Sequence, residues 1–145
     1  MAERRVLSSA EVEVGTELPP VLAPPVTRTT LALFAGASGD HNPIHIDIDF
    51  ARASGVEDVF AHGMLSMGYL ARVLTGWVPQ ERIRSFSARF TERTPIGGRP
   101  VCSGRVEELS LVDGEHRARL SLRVQLADGT STIVGQAVVA LDRPG

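Results

Sequence analysis

Lysine is absent from this sequence, and cysteine, tyrosine and tryptophan occur once each. All 15 basic residues are therefore arginine; 17 acids balance them to a formal net charge of −2. With no basic excess to meet a phosphate backbone, the composition argues against a nucleic-acid binder. The lone Cys102 excludes an intramolecular disulfide framework and any cysteine-rich zinc module. No apolar run approaches the roughly 18 residues of a spanning helix. The first residues lack the apolar centre of a signal peptide. Gly-x-Gly-x-x-Gly and P-loop patterns are missing, so no organic cofactor is expected. Internal repeats and low-complexity tracts are missing too. What remains is an ordinary globular composition of 145 residues, 43% apolar and 22% charged. That predicts one cytoplasmic domain over residues 1–145, with residues 1–11 a loosely ordered lead-in.

The chain divides into three zones. Residues 1–28 contain Pro19, Pro20, Pro24 and Pro25, which forbid helix and favour extended or edge-strand structure. Within residues 29–78, Thr29 or Thr30 is expected to cap a short helix carrying Leu31, Leu33, Phe34 and Ala37 and ending near Gly39. Pro43 breaks the next segment, and Asp47 or Asp49 is expected to cap a short turn stopped by Gly55. A second helix is predicted over residues 63–75, apolar nearly all round and so buried on most sides. Residues 82–142 supply its wrapping. Ala118, Leu120, Leu122, Val124 and Leu126 alternate with polar neighbours, as do Phe86, Ala88 and Phe90. Asp113-Gly114, Asp128-Gly129 and Gly97-Gly98 mark turns between four antiparallel strands near 82–92, 99–112, 115–127 and 131–142. These form a meander, and the fold class is α+β. Val134, Val138 and Ala140 lie opposite Ile133, Ala137, Val139 and Leu141, so the last strand is apolar on both faces. Dimerisation is the expected use of the second face.

Titratable residues concentrate in Gly39-Asp40-His41-Asn42-Pro43-Ile44-His45. A turn there can bring the Asp40 carboxylate and His45 imidazole to one side, making a site that holds a water and moves a proton near neutral pH. Asn42 orders such a loop by bonding its own backbone. The competing reading is that these are common loop residues, with His41 facing solvent. A metal centre built on His41 and His45, with Asp40, Asp47 and His62 near in sequence, is the weaker alternative. Pro43 prevents the helix on which an i, i+4 histidine pair chelates, so no metal is expected. At Ala61-His62-Gly63-Met64, Gly63 allows close backbone approach, and its N–H is an orphan donor at a helix start. Such a donor suits a carbonyl oxygen that gains charge. The bland alternative is a crowded helix start with His62 as filler. Taken together, an acid–base pair and an oxyanion donor are the parts needed to add water to, or remove it from, a double bond conjugated to a thioester.

The two motifs, Asp40 through His45 followed by His62-Gly63-Met64, resemble those of the MaoC-like (R)-specific enoyl-CoA hydratases and (3R)-hydroxyacyl-thioester dehydratases. The resemblance implies a single hotdog fold, a long central helix wrapped by a curved antiparallel sheet. It implies catalysis by Asp40 and His45, with the Gly63 amide against the thioester carbonyl. Asn42, His62 and Met64 are expected to bind substrate, and the resemblance implies that Asn42 also orders the dyad loop. The substrate would be an acyl group on coenzyme A or acyl carrier protein. The assembly would be a homodimer, or a heterodimer with a second hotdog subunit. Two other hotdog roles stand as alternatives, an acyl-thioesterase and an acyl-binding subunit of a heteromeric dehydratase. The helix at 63–77 carries no Asp or Glu, which disfavours the thioesterase type that uses a helix carboxylate. Ser66 is a buried hydroxyl in search of a role, expected to bond the backbone. Arg82, Arg84, Arg89, Arg93 and Arg99 are candidates for phosphate contacts or plain solvated charges.

Overall fold

The computed structural model describes residues 7–145. The expected loose lead-in therefore falls partly, at residues 1–6, outside the described residues. From Leu7 onward the chain is tied down, because Leu7 packs against the core and Ser8 bridges Asp142. The prolines of the first zone leave only a two-residue strand, β1 (Val21–Leu22). Helix α1 (Arg28–Ser38) follows, then a 3₁₀ turn (Pro43–His45), α2 (Ile48–Ala53) and the long α3 (Gly63–Trp77). Strands β2 (Ile83–Phe90), β3 (Val101–Val112), β4 (Glu115–Gln125) and β5 (Ser131–Leu141) complete the chain. The helix caps are Thr27, whose side chain accepts from Thr30 N–H, and Asp47, which accepts from Asp49 and Phe50. Thr27 thus takes the place expected for Thr29 or Thr30, and α1 starts two or three residues sooner. Helix α1 ends as its sequence requires, on Gly39 in the left-handed region.

The five strands form one antiparallel sheet in the order β1-β3-β4-β5-β2, curled around α3. This is the hotdog arrangement, but it is not a meander. Strand β2 pairs with β5, Phe86 facing Ala137, rather than with β3. The reason lies in residues 91–100, which spend their backbone hydrogen bonds elsewhere. Gly97 and Gly98 bond Val26, Pro100 accepts from Ala23, and Thr94 accepts from Ala61. The segment is a strap across the open side of the sheet, and the Gly97-Gly98 turn lies inside it. No helix among the described residues is long and apolar enough to cross a membrane.

The core is the contact between one face of α3 (Leu70, Val73, Leu74) and the inward residues of β3, β4 and β5. Val106, Leu120 and Ala137 lie side by side across three strands and are fully buried. Cys102 sits in this layer, where burial pushes its thiol up to about 11 and leaves it no nucleophile. Helix α3 keeps one narrow exposed stripe, Met64, Gly68, Arg72 and Gly76, and turns its other sides inward. The second face of β5 differs as well. Val138 lies opposite Arg119, Val134 between Arg89 and Arg123, and Ala140 opposite Arg117. Arginines thus interrupt the apolar surface that the strand sequence suggests, and the uncovered element is the outer edge of β2.

Strand β2 approaches β5 closely because Gly135 has no side chain. A Cβ built there would lie 2.5 Å from the Ser87 carbonyl oxygen, a backbone atom that cannot swing aside. Gly135→Ala is expected to cost about 1–3 kcal/mol, the usual range for overpacking. A denaturant titration should show a lower midpoint with an unchanged slope.

Candidate active site

Three segments far apart in sequence meet at one cavity. The first is the loop between α1 and α2. Ser38 Oγ accepts from Asp40 N–H, Asp40 Oδ1 from Asn42 N–H, and Asn42 Oδ1 from Ile44 N–H, at 3.1–3.2 Å. This relay of short side chains onto nearby backbone, with Pro43 opening the 3₁₀ turn, presents the loop's two reactive groups. The second is the approach to α3, where residues 60–62 bring Phe60 and His62 against that loop. The third is the strap, which supplies Glu92, Arg93 and Thr94.

His45 is 9% exposed, and its Nδ1 lies 2.8 Å from the Phe60 carbonyl oxygen. A carbonyl only accepts, so Nδ1 carries the proton and the neutral ring keeps its lone pair on Nε2. That Nε2 lies 4.0 Å from Asp40 Oδ2, which belongs to a half-exposed side chain. The gap is too long for a direct hydrogen bond and suits a water donating to both atoms.

Behind the pair is His62, which is 1% exposed. Its ring stacks on His45 with centroids 4.0 Å apart and meets Phe34 edge-on. Its Nε2–H donates to the Asp40 carbonyl at 3.2 Å, leaving Nδ1 buried without a partner. One ring thus touches both members of the pair. Burial holds the His62 pKa below the ordinary value, and neighbouring His45 pushes the same way against the Asp40 carbonyl bond. In the unfolded chain His62 protonates near pH 6.5, whereas in the fold it resists. Unfolding then takes up a proton, and stability falls as pH drops below about 6.5 towards the lower folded value. His62→Gln should flatten this part of the curve, seen as a smaller loss of melting temperature between pH 7 and 5 than in the parent.

The cavity beside these residues encloses about 310 Å³. Asp40, Gly63 and Met64 line it, with Phe60, Phe90 and Arg93. Gly63 is the first residue of α3, and no side chain caps that helix. Among the described residues nothing accepts from its N–H, so the donor is free for a ligand. The ring of Phe90 lies 3.0 Å from where a Gly63 Cβ would be, so any side chain there has to displace that ring.

Of the residues singled out in the sequence, Asp40 and Gly63 therefore line one cavity, and His45 stands 4.0 Å from the Asp40 carboxylate. Met64 lines the cavity, whereas Asn42 is spent on the loop and His62 on the pair behind the wall. His41 and Asp49 are exposed, and Asp47 is a helix cap. The donor atoms of Asp40, His45 and His62 lie within 4.8 Å of one another, a spacing that also suits a divalent ion. Ser66 does not bond the backbone; its nearest partner is Thr94 Oγ1 at 3.5 Å. Among the arginines, Arg82 and Arg84 are committed to Asp142 and Glu115. Of the five candidate arginines only Arg93 reaches the cavity, its guanidinium 4.9 Å from the Phe60 ring centre. Glu92, Thr94 and Thr132 carry no local signal in the sequence; the strap and the start of β5 bring them in.

The MaoC like domain model matches residues 9–124, and the chain belongs to that family. It has the hotdog fold of the family and is a hydro-lyase of the hydratase/dehydratase class. It is similar to a 3-hydroxybutyryl-CoA dehydratase of Methylorubrum extorquens, 28% identical over 143 residues, spanning 99% of this chain and 89% of that one. An (R)-specific enoyl-CoA hydratase of Aeromonas caviae is 27% identical over 135 residues, 93% of this chain and 99% of that one. Among solved structures, unliganded R-hydratase PhaJ1 of Pseudomonas aeruginosa superposes with a TM-score of 0.80 at 26% identity, covering 96% and 88% of the two chains.

Proposed function

We propose that the protein reversibly hydrates trans-2-enoyl thioesters and dehydrates (3R)-hydroxyacyl thioesters in cytoplasmic fatty-acid or related acyl metabolism. The carrier is coenzyme A or acyl carrier protein. The observation that carries this reading is that Asp40, whose Oδ2 lies 4.0 Å from His45 Nε2, lines the same cavity as Gly63 with its free N–H. The Gly63 N–H donates to the thioester carbonyl oxygen as that oxygen gains enolate charge. Water held between Asp40 and His45 adds its oxygen to C3 and gives one proton to the member acting as base. The other member receives that proton across the 4.0 Å gap and gives it to C2, on the same face, so the pair ends as it began. No organic cofactor or metal takes part. Asn42 and His62 keep the pair in register, and Met64 offers a pliable apolar wall to the acyl group.

The working unit is proposed to be a homodimer, with a second hotdog subunit as the other arrangement. Strand β2 is an eight-residue open edge, and Met64 and Phe90 at the cavity are 58% and 50% exposed. Light scattering on the purified chain should give twice the monomer mass. Glu92 in the cavity wall is the observation that favours thioester hydrolysis as a second reading. Both readings are tested by adding trans-2-butenoyl-CoA and following the loss of conjugated enoyl absorbance, product chirality and free thiol. The (R)-3-hydroxy product without thiol supports the hydratase. Thiol release, or an (S) product, overturns it.

A further inference from the structure

The cavity has an open end and a closed one. Asp40, Met64 and Phe90 are exposed at the open end, whereas Ser66, Thr94 and Thr132 are 4%, 4% and 1% exposed. A buried hydroxyl in an apolar wall is ordinarily spent on a carbonyl or another side chain. These are not. Thr132 Oγ1 is out of reach of solvent and has no hydrogen-bond partner among the described residues. Ser66 Oγ and Thr94 Oγ1 have only each other, at 3.5 Å, the far limit of such a bond.

The sheet is irregular where Thr132 enters the wall. On β4, Val124 pairs with Ile133 and the next residue, Gln125, with Ser131, so Thr132 is left without a ladder partner. Consecutive residues of a regular strand point to opposite faces, yet Thr132 and Ile133 both line the cavity. A bulge re-aims a side chain in this way, and bulges cluster beside active sites. The Thr132 carbonyl anchors the bulge by accepting from Thr91 N–H at 2.9 Å.

We propose that this closed end is a polar subsite for the acyl group, taking a chain that carries a hydrogen-bonding oxygen (a hydroxyl or keto group) near C5. The inference rests on the thioester reading for where the carbonyl sits. The bulky carrier has to leave through the open end, which sends the acyl tail to the closed one. Ser66 follows Gly63 by three residues on the same face of α3, about 4.5 Å further along the axis. That is the span of about three to four bonds from a carbonyl held at Gly63.

The test uses hexanoyl-CoA and 5-hydroxyhexanoyl-CoA, which bind without being hydrated, in calorimetric titrations of the full chain. The corresponding 2-enoyl thioesters are assayed for turnover alongside. The parent protein should bind the 5-hydroxy ligand about tenfold or more tightly. Thr132→Val, which keeps the shape and removes the hydroxyl, should cut that preference to less than about threefold. It should weaken hexanoyl-CoA binding far less than 5-hydroxyhexanoyl-CoA binding and should not lower the melting temperature. Ser66→Ala should reduce the preference in the same direction. Equal or weaker binding of the hydroxylated ligand by the parent overturns the proposal, as does no binding of either. So does a Thr132→Val protein that loses both ligands equally, because the hydroxyls would then serve the shared carrier arm or the fold. A preserved binding preference with no turnover of either enoyl thioester sinks the hydratase reading and leaves the subsite standing.

Discussion

Asp40→Asn is expected to lower kcat for enoyl-thioester hydration by about 10²–10⁴-fold, the range set by a positioned general acid or base. The fold should survive. Asn keeps an oxygen for the Asn42 N–H that Asp40 Oδ1 now receives, and the side chain is half exposed, so no core contact is lost. What changes is the second atom. An amide NH₂ on the side of His45 Nε2 is a donor where the carboxylate accepted, so the bridging water loses one of its two acceptors and the pair loses a proton carrier. His45→Ala should be comparably severe, although it also removes a ring that caps the Phe60 carbonyl and supports His62. Asp40→Asn is therefore the cleaner experiment. Kinetics with trans-2-butenoyl-CoA and a thermal melt on the same preparation suffice, and near-parental turnover would remove Asp40 from the reaction.

Gly63→Val should reduce kcat/KM by about 10²–10³-fold, the cost of removing one oxyanion donor. Even a single Cβ would lie 3.0–3.2 Å from three carbons of the Phe90 ring, and valine adds two methyl groups in the same space. The ring can swing, because Phe90 is half exposed, but it lines the cavity and takes the cavity's shape with it. The loss should thus fall on activity more than on stability. Adding Phe90→Leu separates the causes. If blocked space alone is responsible, the double variant regains most activity; if the amide is shielded from the carbonyl oxygen, it stays poor. Full activity in Gly63→Val would end the oxyanion argument.

Much of this architecture is legible locally. The strict alternation of Ala118 to Val124 and the two Asp-Gly turns mark β3, β4 and β5 to within a residue or two, because period and turn chemistry are local properties. Partner choice is not local. Nothing in Phe86, Ala88 and Phe90 says that β2 must cross to β5, since the strap's hydrogen bonds to Val26, Ala23 and Ala61 decide it. The site divides along the same line. Asp40, His45 and Gly63 stand in two short motifs dense in unusual residues. His62 stands in one of them too, but its stacking on His45 depends on how two segments fold back together. Thr132 is invisible in the sequence because its direction comes from a bulge, and a bulge is a mismatch between two strands.

The two edges of the sheet have opposite fates. Strand β1 is two residues long and hemmed by Pro19, Pro20, Pro24 and Pro25, which cannot extend a hydrogen-bonded ladder. Strand β2 offers eight residues. A sheet that can add a neighbour on one side only has no way to propagate: two copies joined edge to edge about a twofold axis use up both growing ends at once. The prolines at the start of the chain then act as a terminator, and an assembly of this kind stops at two instead of running on into a fibre.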